Sequence, residues 1–107
     1  ADIFELIESA SKLIGYSKPV DSNKIINNID YVGDQYGVPT PGSISAIKFL
    51  ASREGVLLDP IYSGKGFAGL LDFIAKGTIA KEDSVVFVHT GGLPALFVHN
   101  QVLTSSN

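Results

Sequence analysis

The sequence contains no cysteine, no methionine and no tryptophan. Without cysteine there is no disulfide framework, and zinc sites of the Cys₄ or Cys₂His₂ kind are excluded. The two histidines, His89 and His99, have no carboxylate nearby at ligand spacing, so no metal site is expected. No apolar run approaches the roughly 20 residues that span a bilayer. The first residues lack the basic and hydrophobic stretches of a secretory signal. The expectation is a soluble, cytoplasmic chain with no membrane partner. Basic residues number 8 against 11 acidic ones, for a net charge of −3, and the lysines are scattered. With no basic stripe interleaved with aromatics, nucleic acid is not an expected partner.

What is present suits one modest globular domain: 107 residues, 45% hydrophobic and 18% charged. The most informative stretch is Ser84-Val85-Val86-Phe87-Val88-His89-Thr90-Gly91-Gly92-Leu93-Pro94. Its first half has no polar alternation, the pattern of a strand covered on both faces in a parallel sheet. It stops at a hydroxyl and two glycines, and in open α/β sheets ligands bind beyond the carboxyl ends of such strands. So short a chain does not supply the whole of that sheet. With the missing methionine and a start in mid-pattern at Ala1-Asp2-Ile3, this reads as a piece excised or processed from a longer chain.

The rest alternates helical and extended patterns, giving an α/β class. Residues 2–14 form an amphipathic helix, with Ile3, Leu6, Ile7, Ala10, Leu13 and Ile14 on one face and Gly15 as its stop. Lys24 to Val32 is β-like, and Gly33 to Gly42 is a loop rich in turn residues. Tyr36 stands in that loop and, taken alone, reads as a ring that packs and a hydroxyl that is solvated. Thr40-Pro41 is an N-cap followed by proline, opening a helix to about Glu54 that buries Ile44, Ile47, Leu50 and Ala51. Val56-Leu57-Leu58 is a short buried stretch closed by Asp59-Pro60. A helix over about 62–76 places Phe67, Leu70, Leu71 and Ile74 at core spacing. Gly64, Gly66 and Gly69 in its first turns point either to a backbone or ligand that comes close or to tight helix packing. A last helix covers about 93–98, and the polar residues 101–107 are expected to fray.

Ser63-Gly64-Lys65-Gly66 does not make a phosphate loop: Asp59 stands where the Walker pattern needs glycine, and Gly66 where it needs Ser or Thr. His89 reads as a hydrogen-bonded core residue at a strand end. Thr90-Gly91-Gly92 reads equally as a ligand edge, with a hydroxyl that donates and accepts, or as an ordinary strand-to-helix turn.

Asp59-Pro60-Ile61-Tyr62-Ser63-Gly64-Lys65, followed by His89-Thr90-Gly91-Gly92-Leu93-Pro94-Ala95-Leu96, resembles the C-terminal third of a known family. The family contains D-cysteine desulfhydrase and 1-aminocyclopropane-1-carboxylate deaminase. Tyr36-Gly37-Val38-Pro39, and Ala46-Ile47 through Arg53-Glu54-Gly55, are similar to it as well, so the resemblance runs from about Gly15 to Phe97. It implies a fragment of a three-layer parallel-sheet fold of the tryptophan synthase β type. Residues 1–107 would be the C-terminal portion of its large, cofactor-binding domain. The implied cofactor is pyridoxal 5′-phosphate.

The resemblance also implies roles. Thr90 would meet the pyridine nitrogen of the cofactor and Gly91 the face of its ring. Tyr62 and Tyr36 would be catalytic tyrosines, either able to relay protons if its surroundings lowered its pKa. Ser63 would border the substrate. Deaminases of the cyclopropane type carry Glu after the active-site tyrosine and leucine at the position of Thr90. Ser63 and Thr90 therefore place this chain with the desulfhydrases, which eliminate sulfide from a small amino acid and leave pyruvate and ammonia. The family's Schiff-base lysine and phosphate-cradling loop lie N-terminal to the resembling region, and Lys65 is in the wrong motif to replace that lysine. The chain alone is therefore expected to be inactive, and the intact enzyme to be a homodimer. A cyclopropane-carboxylate deaminase, or a non-catalytic α/β binding or structural fragment, are the other readings.

Overall fold

The computed structural model describes residues 2–104. Among the described residues there are five helices, α1 (Ile3–Leu13), α2 (Pro41–Glu54), α3 (Ser63–Ala75), α4 (Pro94–Val98) and α5 (Asn100–Thr104), and a 3₁₀ turn at Ser22–Lys24. The expected frayed tail is therefore helical at its start, and its residues 105–107 lie outside the described residues.

Helix ends follow their local signals. Asp2 accepts from the Phe4 amide to start α1. Thr40 and Ser43 exchange side-chain and backbone bonds in a capping box at α2, and Gly55 closes that helix in the left-handed region at φ +67°.

The hub is the packing of α2 on α3. Ser43, Ala46 and Ile47 form the buried face of α2. Of the expected set only Ile47 is buried; Ile44, Leu50 and Ala51 are half-buried. On α3 the expected apolar stripe is not the buried one. Phe67, Leu70 and Leu71 are half-buried and Ile74 is exposed, whereas Ser63, Gly64, Lys65 and Gly69 are buried.

The glycines explain the difference, because each admits a neighbour that a methyl would exclude. A Cβ on Gly64 would stand 2.6 Å from the Asp59 carbonyl oxygen and 2.9 Å from Ile47 Cδ1. One on Gly69 would stand 2.9 Å from the Tyr31 ring. The close approach is thus to protein, by helix packing at Gly64 and by an aromatic ring at Gly69. Leu58 alone of the 56–58 stretch is buried.

The expected parallel sheet is not formed among the described residues. Lys24 ends the 3₁₀ turn, and residues 25–32 and 84–88 are turns or irregular backbone without ladder partners. Val86 is 87% exposed, the reverse of a strand covered on both faces, while Phe87 packs edge-on against Phe67 with centroids 5.3 Å apart. The physical reason is that a central strand needs a paired neighbour on each side to satisfy its amides and carbonyls. No such neighbour is present among the described residues. The same thinness shows in the dimensions. The radius of gyration is 16.1 Å, against about 13 Å for a compact chain of roughly 100 residues.

Candidate functional site

The site is organised by Asp59, which is fully buried. Its Oδ2 accepts from the amides of Ile61 (2.8 Å) and Tyr62 (2.7 Å). Its Oδ1 accepts from the amide (2.8 Å) and hydroxyl (2.5 Å) of Ser63, and the Asp59 amide donates back to that hydroxyl. One carboxylate thus satisfies the amides of the turn that leads into α3, Ile61 to Ser63, near a helix start where an anion is also favoured by the dipole. Burial pushes the Asp59 carboxyl up, but the Ser63 hydroxyl and the three amides outweigh it and hold the group below the ordinary aspartate value. Ser63 is buried and its hydroxyl is committed to Asp59.

The Asp59 turn aims Tyr62 outward, beside Tyr36 from the 33–42 loop. The two rings meet edge-on at 6.1 Å and the two hydroxyls hydrogen-bond each other. Tyr36 therefore does not pack its ring away as expected of it alone: it is 81% exposed and spends its hydroxyl on Tyr62. The bond to Tyr36, with some desolvation, raises the Tyr62 phenol above its ordinary value. The lowered pKa that would make Tyr62 a base is not what these surroundings supply; they keep it protonated.

Both tyrosines line a pocket of about 550 Å³ that continues over Tyr31, Lys65, Leu70 and Phe73. Lys65 is 7% exposed and donates to the Val32 carbonyl at 2.5 Å. Tyr31, which fits the notch at Gly69, donates to Asp72 at 2.5 Å, and Asp72 in turn pairs with Lys76 at 2.5 Å.

Thr90 and Gly91 do not line that pocket. They stand on a turn docked against the 57–59 segment. His89 bonds the Leu57 carbonyl and the Gly91 amide, so it is hydrogen-bonded as expected, but on the surface and not in a core. On the other side of the turn, Gly92 lies against the Asp59 side chain. Gly91, at φ +98°, faces open space, and the Thr90 hydroxyl makes no hydrogen bond among the described residues. An open glycine beside a free hydroxyl fits the edge and face of a flat heteroaromatic ring. Asp59 thereby connects the tyrosine pair to the Thr90 turn. Sequence reasoning passed over it, reading Asp59-Pro60 only as a stop. The signal was there: an aspartate before proline favours turn initiation, with its side chain accepting from amides two or more residues on.

No helix among the described residues is long and apolar enough to cross a membrane, and no group of three or more His, Cys, Asp or Glu among them could hold a metal ion.

Comparison with known proteins gives the family. Residues 3–91 match the family described as pyridoxal-phosphate dependent enzyme. D-cysteine desulfhydrase from Serratia proteamaculans (strain 568) is 42% identical over 95 residues, covering 88% of this chain and 29% of that protein. D-cysteine desulfhydrase from Salmonella newport (strain SL254) is 49% identical over 71 residues, covering 66% of this chain and 22% of that one. A crystal structure of an ACC deaminase homologue superposes with a TM-score of 0.73 at 34% identity, covering 92% of this chain and 29% of that one. The chain thus spans less than a third of the length of each of these relatives.

Proposed function

This chain belongs to the pyridoxal-phosphate dependent enzyme family, and we propose that it is the C-terminal portion of the cofactor-binding domain of a lyase most like D-cysteine desulfhydrase. The proposed reaction takes a small amino acid to pyruvate, ammonia and sulfide. The observation that carries this reading is the Tyr36–Tyr62 pair. Two tyrosines far apart in sequence meet hydroxyl to hydroxyl at the mouth of a pocket.

Pyridoxal phosphate supplies the electron sink for cleavage next to the amino-bearing carbon. Thr90 would hold the ring nitrogen through a neutral hydroxyl, and Gly91 would let the ring lie against the backbone. Tyr62, kept protonated by its bond to Tyr36, would donate a hydrogen bond or a proton to the departing group, with Tyr36 resupplying it. Ser63, which the resemblance sets beside the substrate, has its hydroxyl committed to Asp59 and would act by keeping the turn before α3 in place. Lys65 is tied to the Val32 carbonyl and would not be the lysine that bonds the cofactor. That lysine and the phosphate loop would be supplied by other parts of the intact enzyme, a cytoplasmic homodimer, and residues 1–107 alone would be inactive.

The likeness to an ACC deaminase homologue supports the cyclopropane deaminase as the second reading. Ser63 and Thr90 weigh against it, because the resemblance places Glu and Leu at those positions in such deaminases. The test is to supply the intact protein, loaded with pyridoxal phosphate, with D-cysteine and with 1-aminocyclopropane-1-carboxylate. Pyruvate and sulfide from D-cysteine are expected. Faster turnover of the cyclopropane substrate would overturn the assignment.

A further inference from the structure

His89 occupies a position in which its tautomer can be read from its neighbours. Its Nε2 lies 2.8 Å from the Leu57 carbonyl oxygen, and the Gly91 amide donates to its Nδ1 over 3.1 Å. A backbone N–H can only donate, so Nδ1 must offer a lone pair. A carbonyl oxygen can only accept, so Nε2 must carry the hydrogen. The neutral Nε2–H form satisfies both contacts. The other tautomer would set two donors against each other at Gly91 and two lone pairs at Leu57. The doubly protonated ring would keep Leu57 but lose Gly91.

Thr90 stands between the ring's own residue and the amide the ring holds. That turn has little else to hold it: Gly91 touches nothing within 4 Å of where its Cβ would be, and the preceding residues 84–88 have no ladder partners. On its far side Gly92 rests on Asp59, which also fixes the turn leading to Tyr62. The Leu57–His89–Gly91 chain therefore closes the second side of a clamp whose first side is Asp59 against Gly92.

We propose that His89 is a positioning residue for the Thr90–Gly91 turn, locked as the Nε2–H tautomer between the Leu57 carbonyl and the Gly91 amide. The functional consequence rests on the reading that Thr90 and Gly91 meet the cofactor ring; the latch itself does not.

The test is the imidazole ¹⁵N spectrum of the intact protein at neutral pH. A protonated Nε2, a bare Nδ1 and a coupling from the Gly91 amide across to Nδ1 are expected. An Nδ1–H tautomer or a doubly protonated ring would overturn the proposal. Two substitutions separate the contacts. His89→Asn places a carbonyl oxygen where Nδ1 stands and keeps the acceptor for Gly91. His89→Gln reaches to the Nε2 position and keeps only the donor to Leu57. Relative to His89→Ala, in which pyridoxal phosphate should bind about tenfold more weakly than to the parent, His89→Asn should recover most of the affinity and the Gly91 amide shift. Recovery by His89→Gln instead, or by neither, would contradict the latch. If pyridoxal phosphate failed to bind the parent protein, the proposed function would fall, and the imidazole spectrum would still decide the latch.

Discussion

Gly92 lies so close to Asp59 that a methyl group on it would stand 2.7 Å from both the carboxyl carbon and Oδ1. This contact joins the two halves of the candidate site, because the same carboxylate accepts from the Tyr62 amide in the turn before α3. Gly92→Ala would also carry a side chain at φ +93°. A stability loss of about 2–4 kcal/mol is expected, read as a lower denaturant midpoint. Gly91→Ala has the same kind of backbone, at φ +98°, but open space for its methyl. It should cost only about 1–2 kcal/mol in stability, while weakening pyridoxal phosphate through the lost approach to the ring face.

Asp59 sets an acid limit on the fold. Its folded pKa is lowered, so its ionised form is favoured by the native state. Its contribution is complete above the unfolded value of about 4 and is lost as pH falls through the lower, folded value. Urea midpoints measured from pH 6 downward should fall in the parent over that window. Asp59→Asn should be less stable at pH 6 and show a flatter decline. Asp59→Ala, which strands the amides of Ile61, Tyr62 and Ser63, should cost about 3 kcal/mol at pH 6. An Asn variant with the parent's acid profile would show that another carboxylate sets the limit.

The tyrosine pair predicts an asymmetric result. Tyr36→Phe removes the bond that raises the Tyr62 phenol, so Tyr62 should titrate closer to an ordinary tyrosine. The shift is downward and is read from tyrosinate absorbance. Tyr62→Phe should lower kcat about 100-fold or more if this phenol donates the proton, and Tyr36→Phe should lower it less.

The glycines of α3 should respond in opposite directions. Gly64→Ala forces a methyl against the Asp59 carbonyl at 2.6 Å and against Ile47, and a loss of about 2–3 kcal/mol is expected. Gly66→Ala meets only Phe87 at 3.8 Å. There the better helix former should raise stability by about 0.5–1 kcal/mol. Thermal or urea unfolding of the pair checks both signs.

Helix ends were legible because their causes are local. Thr40-Pro41, Gly55 and Asp2 act through neighbouring amides and carbonyls. The 84–88 run has the composition of a covered strand, but composition describes surroundings and not a conformation, and no sheet forms around it among the described residues. Val86 asks for cover on both faces, and the described residues offer none. In α3, Leu71 and Ile74 followed helical periodicity, but Gly64 and Gly69 took the contacts, since small size lets Ile47 and Tyr31 come closer. Tyr36 and Tyr62 were named one by one through a family resemblance. Their meeting was not legible, because a contact across 26 residues depends on the tertiary path and not on local sequence. Asp59 and His89 were passed over as punctuation and as core, yet they hold the two halves of the site together.

The central claim is that the Thr90 turn receives the ring of pyridoxal phosphate. A crystal structure of the intact protein with the cofactor bound tests it most directly. The Thr90 hydroxyl is expected at about 3 Å from the pyridine nitrogen, with the ring lying against Gly91. A ring nitrogen that meets a carboxylate, or a ring seated away from residues 90–91, would contradict it.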